Sequence, residues 1–305
     1  MGFSFEPRHG VLLVFLASAL YVHFRGRARF GLLRALTDFT VLLAPFNALM
    51  YLFSRAPAKA YLDPVDYPEL APLREHWQTI RDEALQLDEA GRIRAAATYN
   101  DIGFNSFFRT GWKRFYLKWY ADDLASARAT CPKTVALLAG IPSVKAAMFA
   151  SLPPGAKLVR HRDPYAGSVR YHLGLATPND AGCYIDVDGQ RRHWRDGEVM
   201  MFDETFIHHA ENTTDQRRVI LFCDVERPLY FAPMRAFNRL FARVVMTASA
   251  TQNVEGEPVG VINRAFYYLY QLRLKAKALK QSHRRVYYAG KWVLIFGAIY
   301  LLFFR

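Results

Sequence analysis

The sequence predicts a mainly β protein whose core is a double-sheet jelly roll or barrel, with helices packed around it. Three observations lead to this fold class. Alternating or apolar segments typical of strands recur in the second half of the chain, at 169–175, 198–202 and 218–223. Turn-forming sequences rich in Gly, Asn and Asp lie between them, at 178–182, 188–189 and 196–197. Helical periodicity is found mainly before and after this block.

Length and composition set the domain organisation. At 305 residues, with 52% hydrophobic and 15% aromatic residues, the chain can bury one sizeable core and a set of peripheral helices. We expect four regions: a membrane anchor and interfacial segment over 1–56, a main domain over 57–232 with its jelly-roll core at about 146–228, basic amphipathic helices over 233–285, and a C-terminal transmembrane segment over 286–305.

The N-terminal region is expected to anchor the protein in a membrane. The apolar run 10–24 is followed directly by Arg25, Arg27 and Arg29, so positive-inside bias places these arginines in the cytoplasm. The main charge follows the run rather than preceding it, which favours an uncleaved anchor over a signal peptide. A second apolar stretch, 39–53, is interrupted by Pro and Asn and is expected to lie at the interface or re-enter it.

Between the anchor and the β block, the pattern predicts a helix over 69–94, a strand over 112–120 and a second helix over 122–139. The first core strand is expected at 146–152. In 112–120, cations alternate with aromatic residues. The favoured interpretation is a strand whose aromatic side chains pack in the core, and the alternative is an approach surface for a phosphorylated amphiphile.

The C-terminal region is predicted to be helical. The stretches 233–248 and 261–281 are amphipathic, and the second is strongly basic. It is expected either to lie at headgroup level or to dock on the domain. The basic residues 283–285 then precede the apolar stretch 286–304, which is broken only by Lys291. We expect this stretch to span the membrane with its basic end in the cytoplasm.

Charge and cysteine content indicate the partners and the compartment. The formal net charge is +13, and the basic residues gather beside apolar runs, which favours an anionic membrane surface over nucleic acid. The three cysteines form no CxxC pair and are interpreted as reduced thiols of a cytoplasmic domain.

A candidate metal site begins at His161 and Asp163. Side chains two residues apart on one strand project to the same side, so both can face one metal ion. His208, on a distant strand, can complete a two-histidine, one-carboxylate face, which leaves coordination positions open and suits non-haem Fe(II). Arg218 follows at a distance that would let its guanidinium hold the far carboxylate of a 2-oxo acid.

The alternation of side chains along a strand predicts which polar residues face the candidate metal site. Arg170 and His172 fall on one face of the strand 169–175. Arg217 should face away from the site, which leaves one arginine there for a co-substrate. His209 is likewise expected to point away. The acidic pair 203–204 is expected to cap or form the turn before the second histidine.

The whole block resembles the aspartyl/asparaginyl β-hydroxylase family, and within it the bacterial membrane-bound lipid A 2-hydroxylases. The likeness rests on matching order and spacing of these motifs: HRDP at 161–164, RYHLGL at 170–175, WRDGE at 194–198, FDE at 202–204, His208 and Arg218. It extends from Tyr21 through at least Pro228.

The resemblance implies an Fe(II)/2-oxoglutarate-dependent dioxygenase, using O2, with a double-stranded β-helix core. His161 and His208 fall on the family's iron ligands. Arg218, Arg170 and His172 fall on its co-substrate contacts.

The resemblance leaves two roles for Asp163, because some animal members of the family have glycine at this position. It either completes a three-ligand face or serves a turn just before Pro164.

The resemblance also implies a substrate. The expected reaction is 2-hydroxylation of an acyl chain on lipid A or a lipopolysaccharide precursor. The expected location is the bacterial inner membrane, with the catalytic domain facing the cytoplasm. Two alternatives remain open at this point: β-hydroxylation of Asp or Asn in a protein, and a non-catalytic jelly-roll module that binds lipid or 2-oxoglutarate.

Overall fold

The structure is a computed structural model that describes residues 6–31, 34–35, 38–95, 101, 103–120 and 122–303. Parts of the expected N-terminal anchor region and the last two residues of the expected C-terminal span lie outside the described residues.

A larger and a smaller antiparallel sheet form the core. Their strands are β1 (Tyr61–Leu62), β2 (Lys113–Trp119), β3 (Asp122–Asp123), β4 (Val144–Leu152), β5 (Lys157–His161), β6 (Ser168–Ala176), β7 (Cys183–Val187), β8 (Gln190–His193), β9 (Val199–Phe202), β10 (His208–Asn212) and β11 (Arg218–Glu226). The larger sheet has the order β1-β9-β6-β11-β4-β2-β3, and the smaller one β5-β10-β7-β8. One apolar cluster draws buried residues from both sheets, among them Phe149 and Leu221 from the larger and Ile185 and Ala210 from the smaller. The predicted double-sheet jelly roll, in the form of a double-stranded β-helix, is confirmed.

The larger sheet extends beyond the core expected at about 146–228, because it also takes in β1, β2 and β3. In β2 the side chains of Phe115 and Tyr116 are buried, as the core-strand interpretation requires. Arg114 is also buried, and its guanidinium pairs with the carboxylate of Asp101 at 3.1 Å. An arginine used in this way cannot face an approaching lipid, so the structure favours the core strand over an approach surface.

Two regions predicted as single helices are each divided. Where one helix was expected over 69–94, the structure has α-helices at Ala71–Glu75 and Trp77–Glu89. Where one was expected over 122–139, it has the short strand β3 and helices at Ala125–Thr130 and Pro132–Ala139. The second division has a direct cause. Pro132 disfavours helical geometry at the residue before it, so Cys131 adopts φ −133° and ψ 53°.

At the N-terminus, helix α1 (Pro7–Phe24) is the one helix within the described residues that is long and apolar enough to cross a membrane. A 3₁₀ turn at Phe39–Leu43 leads into helix α2 (Ala44–Leu52). Helix α2 packs on the domain, because Phe46 and Met50 are buried in a cluster with Tyr165 and other residues of the main domain. The expected interfacial segment is therefore a helix with one face docked on the protein.

After the sheets, the chain forms helices at Ala232–Phe241, Val261–Ser282 and Arg284–Phe303. The basic helix Val261–Ser282 contacts the domain in its first half, where Arg109 donates to the Tyr270 hydroxyl at 2.7 Å. This contact favours docking for that part of the helix. The helix Arg284–Phe303 coincides with the expected C-terminal span, and its place in a membrane stays a prediction.

Candidate metal and co-substrate site

A cavity of about 40 Å³ lies between the two sheets. The smaller sheet contributes the ends of β5 and β10, and the larger sheet contributes β6 and β11. The structure brings all six predicted site residues to the walls of this cavity: His161, Asp163, Arg170, His172, His208 and Arg218.

The two histidines are neighbours because β5 and β10 pair antiparallel with His161 opposite His208. Their ring centroids are 4.2 Å apart. The candidate ligand atoms of His161, His208 and Asp163 all lie within 4.8 Å of one another. Two nitrogens and one carboxylate at this separation form a donor set that suits a single transition-metal ion.

Backbone carbonyls orient both imidazole rings. The Nδ1 atom of His161 lies 2.7 Å from the carbonyl oxygen of Val159, and Nδ1 of His208 lies 2.9 Å from that of Phe206. A carbonyl oxygen can only accept, so each Nδ1 carries the proton and each Nε2 keeps a lone pair for a metal. Burial lowers the pKa of His161, and it lowers the pKa of His208 to about 3. Both rings are therefore neutral near pH 7, which is the form that binds metals.

Asp163 reaches the histidines by a different route from the one predicted. Strand β5 ends at His161, so Asp163 follows the strand rather than lying on it. Its backbone N–H donates to the carbonyl oxygen of Glu204 at 2.9 Å, which ties the loop after β5 to the loop before β10. The prediction that Asp163 lies beside both histidine rings is confirmed. The prediction that it does so by sharing a strand face with His161 is wrong.

Arg170 holds the Asp163 carboxylate. Its guanidinium donates to Asp163 Oδ2 at 2.7 Å, and its Nε lies 3.1 Å from an oxygen of Asp224. Burial raises the pKa of Asp163, but the positive charge of Arg170 is the largest opposing influence, and the pKa is lowered. The carboxylate is thus ionised and ready for a cation. The co-substrate contact predicted for Arg170 stays a prediction, since two carboxylates of the protein already occupy its guanidinium.

His172 offers a hydrogen-bond donor with no acceptor among the described residues. The indole Nε1 of Trp194 donates to His172 Nδ1 at 3.3 Å, so the ring proton belongs on Nε2. That Nε2 is buried without a partner in the described part of the chain. Burial, together with Arg170 and Arg218, holds the pKa of His172 well below its usual value, so the ring is neutral.

Arg218 is a buried cation without a carboxylate partner among the described residues. Its guanidinium lies 4.3 Å from the ring centroid of Trp194, and its Nε makes no hydrogen bond within the same residues. Burial lowers the pKa of Arg218 to about 10, which still leaves it charged near pH 7. Arg217 is half-exposed and pairs with Asp88 at 2.9 Å, as expected for a side chain on the other face.

Reasoning from the sequence missed one neighbour of the site, Asp224, and the ion pairs of another, Asp203. Asp224 lies opposite Arg170 in the pairing of β6 with β11, and this register is invisible until the two strands are known to be neighbours. Asp203 does form the expected turn, because its Oδ1 accepts from the N–H of Thr205 at 3.1 Å. It is also fully buried between Arg25 and Arg227, at 2.6 and 2.9 Å.

The two sheets and the cavity between them define a jelly-roll protein with a candidate metal centre. More specifically, the chain belongs to the aspartyl/asparaginyl β-hydroxylase family, whose model matches residues 74–228, about half of the chain. Among individual relatives, it is 35% identical over 181 residues to an ornithine lipid ester-linked acyl 2-hydroxylase of Rhizobium tropici. It is 28% identical over 168 residues to the human aspartyl/asparaginyl β-hydroxylase.

These alignments cover 58% and 53% of this chain, but only 63% and 22% of the two relatives, respectively. The chain thus spans less than two thirds of either protein. Among solved structures, a Pseudomonas putida prolyl-4-hydroxylase matches 50% of this chain and 87% of its own, with 17% identity and a TM-score of 0.34.

Proposed function

We propose that this protein is an Fe(II)/2-oxoglutarate-dependent dioxygenase that hydroxylates the 2-position of an acyl chain on a membrane lipid, with lipid A as the expected lipid. One observation carries the proposal: an uncompensated buried arginine, Arg218, lines the same small cavity as the His161, Asp163 and His208 cluster. A metal-binding face beside a lone cation is what a chelating dianion requires.

The side chains fit the two absent groups. His161, Asp163 and His208 would hold Fe(II), and Arg218 would pair with the far carboxylate of 2-oxoglutarate. The free Nε2–H of His172 can donate to an oxygen of the same molecule. Bound iron would supply the oxidation chemistry with O2, in which 2-oxoglutarate becomes succinate and CO2 and the substrate gains a hydroxyl group. The protein supplies orientation, charge and exclusion of water.

The remaining wall of the cavity favours an acyl chain as substrate. It is built from apolar side chains, among them Phe104, Phe107, Trp112, Leu158 and Ile185. The ring of Phe107 lies 4.7 Å from that of His161, so apolar surface adjoins the candidate metal directly. The side chain of an Asp or Asn substrate would need a polar partner, and Arg170 is already paired with two carboxylates. This is the basis for preferring a lipid over a peptide.

The exterior supports attachment to a membrane. Helix α1 exposes Val11 and Leu13 among other apolar residues, and α2 exposes Leu49 and Leu52 on the side away from the domain. Exposed apolar side chains on adjoining helices are typical of a surface that meets lipid. The chain's net charge of +13 adds attraction to a lipid that carries phosphates.

We further propose that the domain faces the cytoplasm, with both termini outside. The motivation is that Arg25, Arg27 and Arg29, and likewise residues 283–285, lie on the domain side of the flanking apolar segments. Reporter fusions at Pro57 and Gln281 should give cytoplasmic signals. A periplasmic signal at Pro57 alone would mean that the segment 39–53 spans the membrane, and periplasmic signals at both positions would reverse the orientation.

Mass spectrometry of lipids tests the substrate. Cells that lack the protein, that produce it, or that produce the His208→Ala variant as the inactive control are grown aerobically. The masses of their lipid A are then compared. Gain of one oxygen on a secondary acyl chain, absent in the variant, supports the proposal. If ornithine lipid gains the oxygen and lipid A is unchanged, the substrate is ornithine lipid, the lipid in the name of the Rhizobium tropici relative.

Two further outcomes would overturn the lipid assignment. Unchanged lipids together with a hydroxylated Asp or Asn in a protein would make this a peptide hydroxylase. Purified protein that binds lipid or 2-oxoglutarate without forming succinate would be a binding module. Succinate produced in step with lipid oxidation separates the enzyme from that module.

A further inference from the structure

The family match begins at residue 74, yet an earlier segment contacts the loop after β5 and the loop before β10, which adjoin the candidate metal ligands. We call residues 22–47 the clamp segment; within it, 32–33 and 36–37 lie outside the described residues. We propose that the clamp segment positions the metal ligands, with Arg25 as the positioning residue for His208. This inference rests on the proposed function and adds to it a role for the residues that follow the membrane helix.

On the His208 side, one guanidinium fixes the turn that precedes the ligand. Arg25 donates to Thr205 Oγ1 at 2.7 Å and to Asp203 Oδ2 at 2.6 Å. Its guanidinium carbon lies 4.2 Å from the ring centroid of Phe206. The carbonyl of Phe206 in turn holds Nδ1 of His208. Arg25 therefore acts on His208 through a turn of four residues.

On the other side, the clamp segment contacts the loop that follows His161 and carries Asp163. The residue between them, Arg162, is buried, and its Nε donates to Thr40 Oγ1 at 2.7 Å. The amide of Asn47 brackets the turn that follows: its Nδ2 donates to the carbonyl of Pro164 at 2.8 Å, and its Oδ1 accepts from the N–H of Ala166 at 2.9 Å. All three ligands are thus adjacent to groups that the clamp segment holds.

The charges around Asp203 lead us to expect that Arg25→Ala keeps the fold. Burial raises the pKa of the Asp203 carboxyl, but Arg227 and Arg25 outweigh it and hold the pKa far below its usual value. Arg227, also fully buried, lies 2.9 Å from the same oxygen and is expected to stay there when Arg25 is removed. Asp203 therefore keeps one counterion. We expect the loss of Arg25 to alter the conformation of the turn before His208 and to leave the core folded.

The contacts also connect the membrane helix with the metal site. Helix α1 ends at Phe24, and Arg25 is the next residue. The residue that follows α1 therefore contacts the turn before His208 directly. Groups that orient a metal ligand from outside the coordination sphere typically contribute 10- to 100-fold to metal affinity. We expect a loss of about that size when Arg25 is removed.

The test is Co(II) binding to the metal-free, full-length protein in detergent, followed by visible absorption. Arg25→Ala should weaken binding about 10- to 100-fold and alter the absorption spectrum, because His208 is less well oriented. Arg25→Lys, which keeps the charge but cannot donate to Thr205 and Asp203 in the same fork, should recover part of the affinity. Arg27→Ala is the matched control, since Arg27 is an exposed arginine of the same segment.

A second variant keeps the test decisive if Arg25→Ala fails to fold. Thr40→Val removes the hydroxyl acceptor for Arg162 with little change in shape and should weaken Co(II) binding through the His161 side. Wild-type affinity and spectrum in a folded Arg25→Ala protein, or in Thr40→Val if Arg25→Ala is unfolded, would overturn the proposal. If the wild-type protein takes up no Co(II), the metal centre itself is wrong, and this inference falls with it.

Discussion

Arg170 and Arg218 are buried arginines that line the same cavity, and they differ in what neutralises them. Arg170 lies between Asp163 and Asp224, at 2.7 and 3.1 Å, with its guanidinium 3.7 Å from the ring centroid of Phe222. Arg218 contacts the face of Trp194 and has no carboxylate partner among the described residues. Both positions are almost inaccessible to water.

The difference is visible in the acid–base behaviour of the two groups. Burial lowers the pKa of either guanidinium, but at Arg170 the carboxylates of Asp224 and Asp163 outweigh burial and raise the pKa. At Arg218 burial prevails and lowers the pKa to about 10. A compensated buried charge stabilises the structure around it, whereas an uncompensated one costs stability until an anion arrives. We infer that Arg170 orients a metal ligand and that Arg218 is kept for a ligand from outside.

The largest expected effect is loss of the metal, on which both roles depend. His161→Ala and His208→Ala should each abolish Fe(II) binding and turnover. Asp163→Ala should come close to the same result, because two protein ligands would remain and Arg170 would have lost the group that it orients. Equilibrium dialysis against Fe(II) under anaerobic conditions, with turnover measured in parallel, checks all three variants.

Near-normal iron affinity and activity in Asp163→Ala would contradict the role of Arg170 in orienting a metal ligand. The centre would then be a two-histidine site, and Arg170 would serve the fold rather than a ligand. Asp163 would keep a plain turn role before Pro164.

Next in size is the expected cost of breaking the compensated charge. Arg170→Met leaves Asp163 and Asp224 without their shared cation, and removing one partner of a buried pair typically costs about 3–5 kcal/mol. The free energy of unfolding of the metal-free protein, from denaturant titration, should fall by that amount. Unchanged stability would mean that the two carboxylates find other partners, contrary to the geometry.

Arg218→Met should show the opposite pattern. Replacing an uncompensated buried cation by an apolar chain should leave the stability of the metal-free protein unchanged or raise it. Loss of the charge pair should cost about 2–5 kcal/mol of 2-oxoglutarate binding free energy. The KM for 2-oxoglutarate should therefore rise roughly 30- to 4000-fold. The KM for the lipid should change far less. Steady-state kinetics with each substrate varied in turn measures both quantities.

If Arg218→Met destabilises the metal-free protein as much as Arg170→Met does, then Arg218 has a structural partner and the comparison fails. An equal rise in both KM values would show that Arg218 does not discriminate between co-substrate and lipid.

The smallest expected effect is that of Arg217→Ala. Its ion pair with Asp88 is half-exposed, and such pairs contribute about 0–1 kcal/mol to stability. We expect kinetics close to those of the wild-type protein. An increase in the 2-oxoglutarate KM comparable to that of the Arg218 variant would show that the side-chain assignment along β11 is wrong.

Much of the site was predictable because strand side chains alternate with a period of two. Arg170 and His172 share a face of β6, and Arg218 is buried while Arg217 is not, as the alternation requires. The resemblance to the hydroxylase family supplied the roles, and the family model covers this same block. These are local properties of short segments, which is why the residues alone determine them.

The tertiary structure decided which distant groups meet. Asp163 is brought to the histidines by a backbone contact with Glu204, not by sharing a strand with His161. Asp224 compensates Arg170 because β11 pairs with β6 in one particular register. Arg25 and Asp203, 178 residues apart in the chain, form a buried ion pair. No local periodicity encodes such contacts, because they depend on how complete sheets and helices pack against one another.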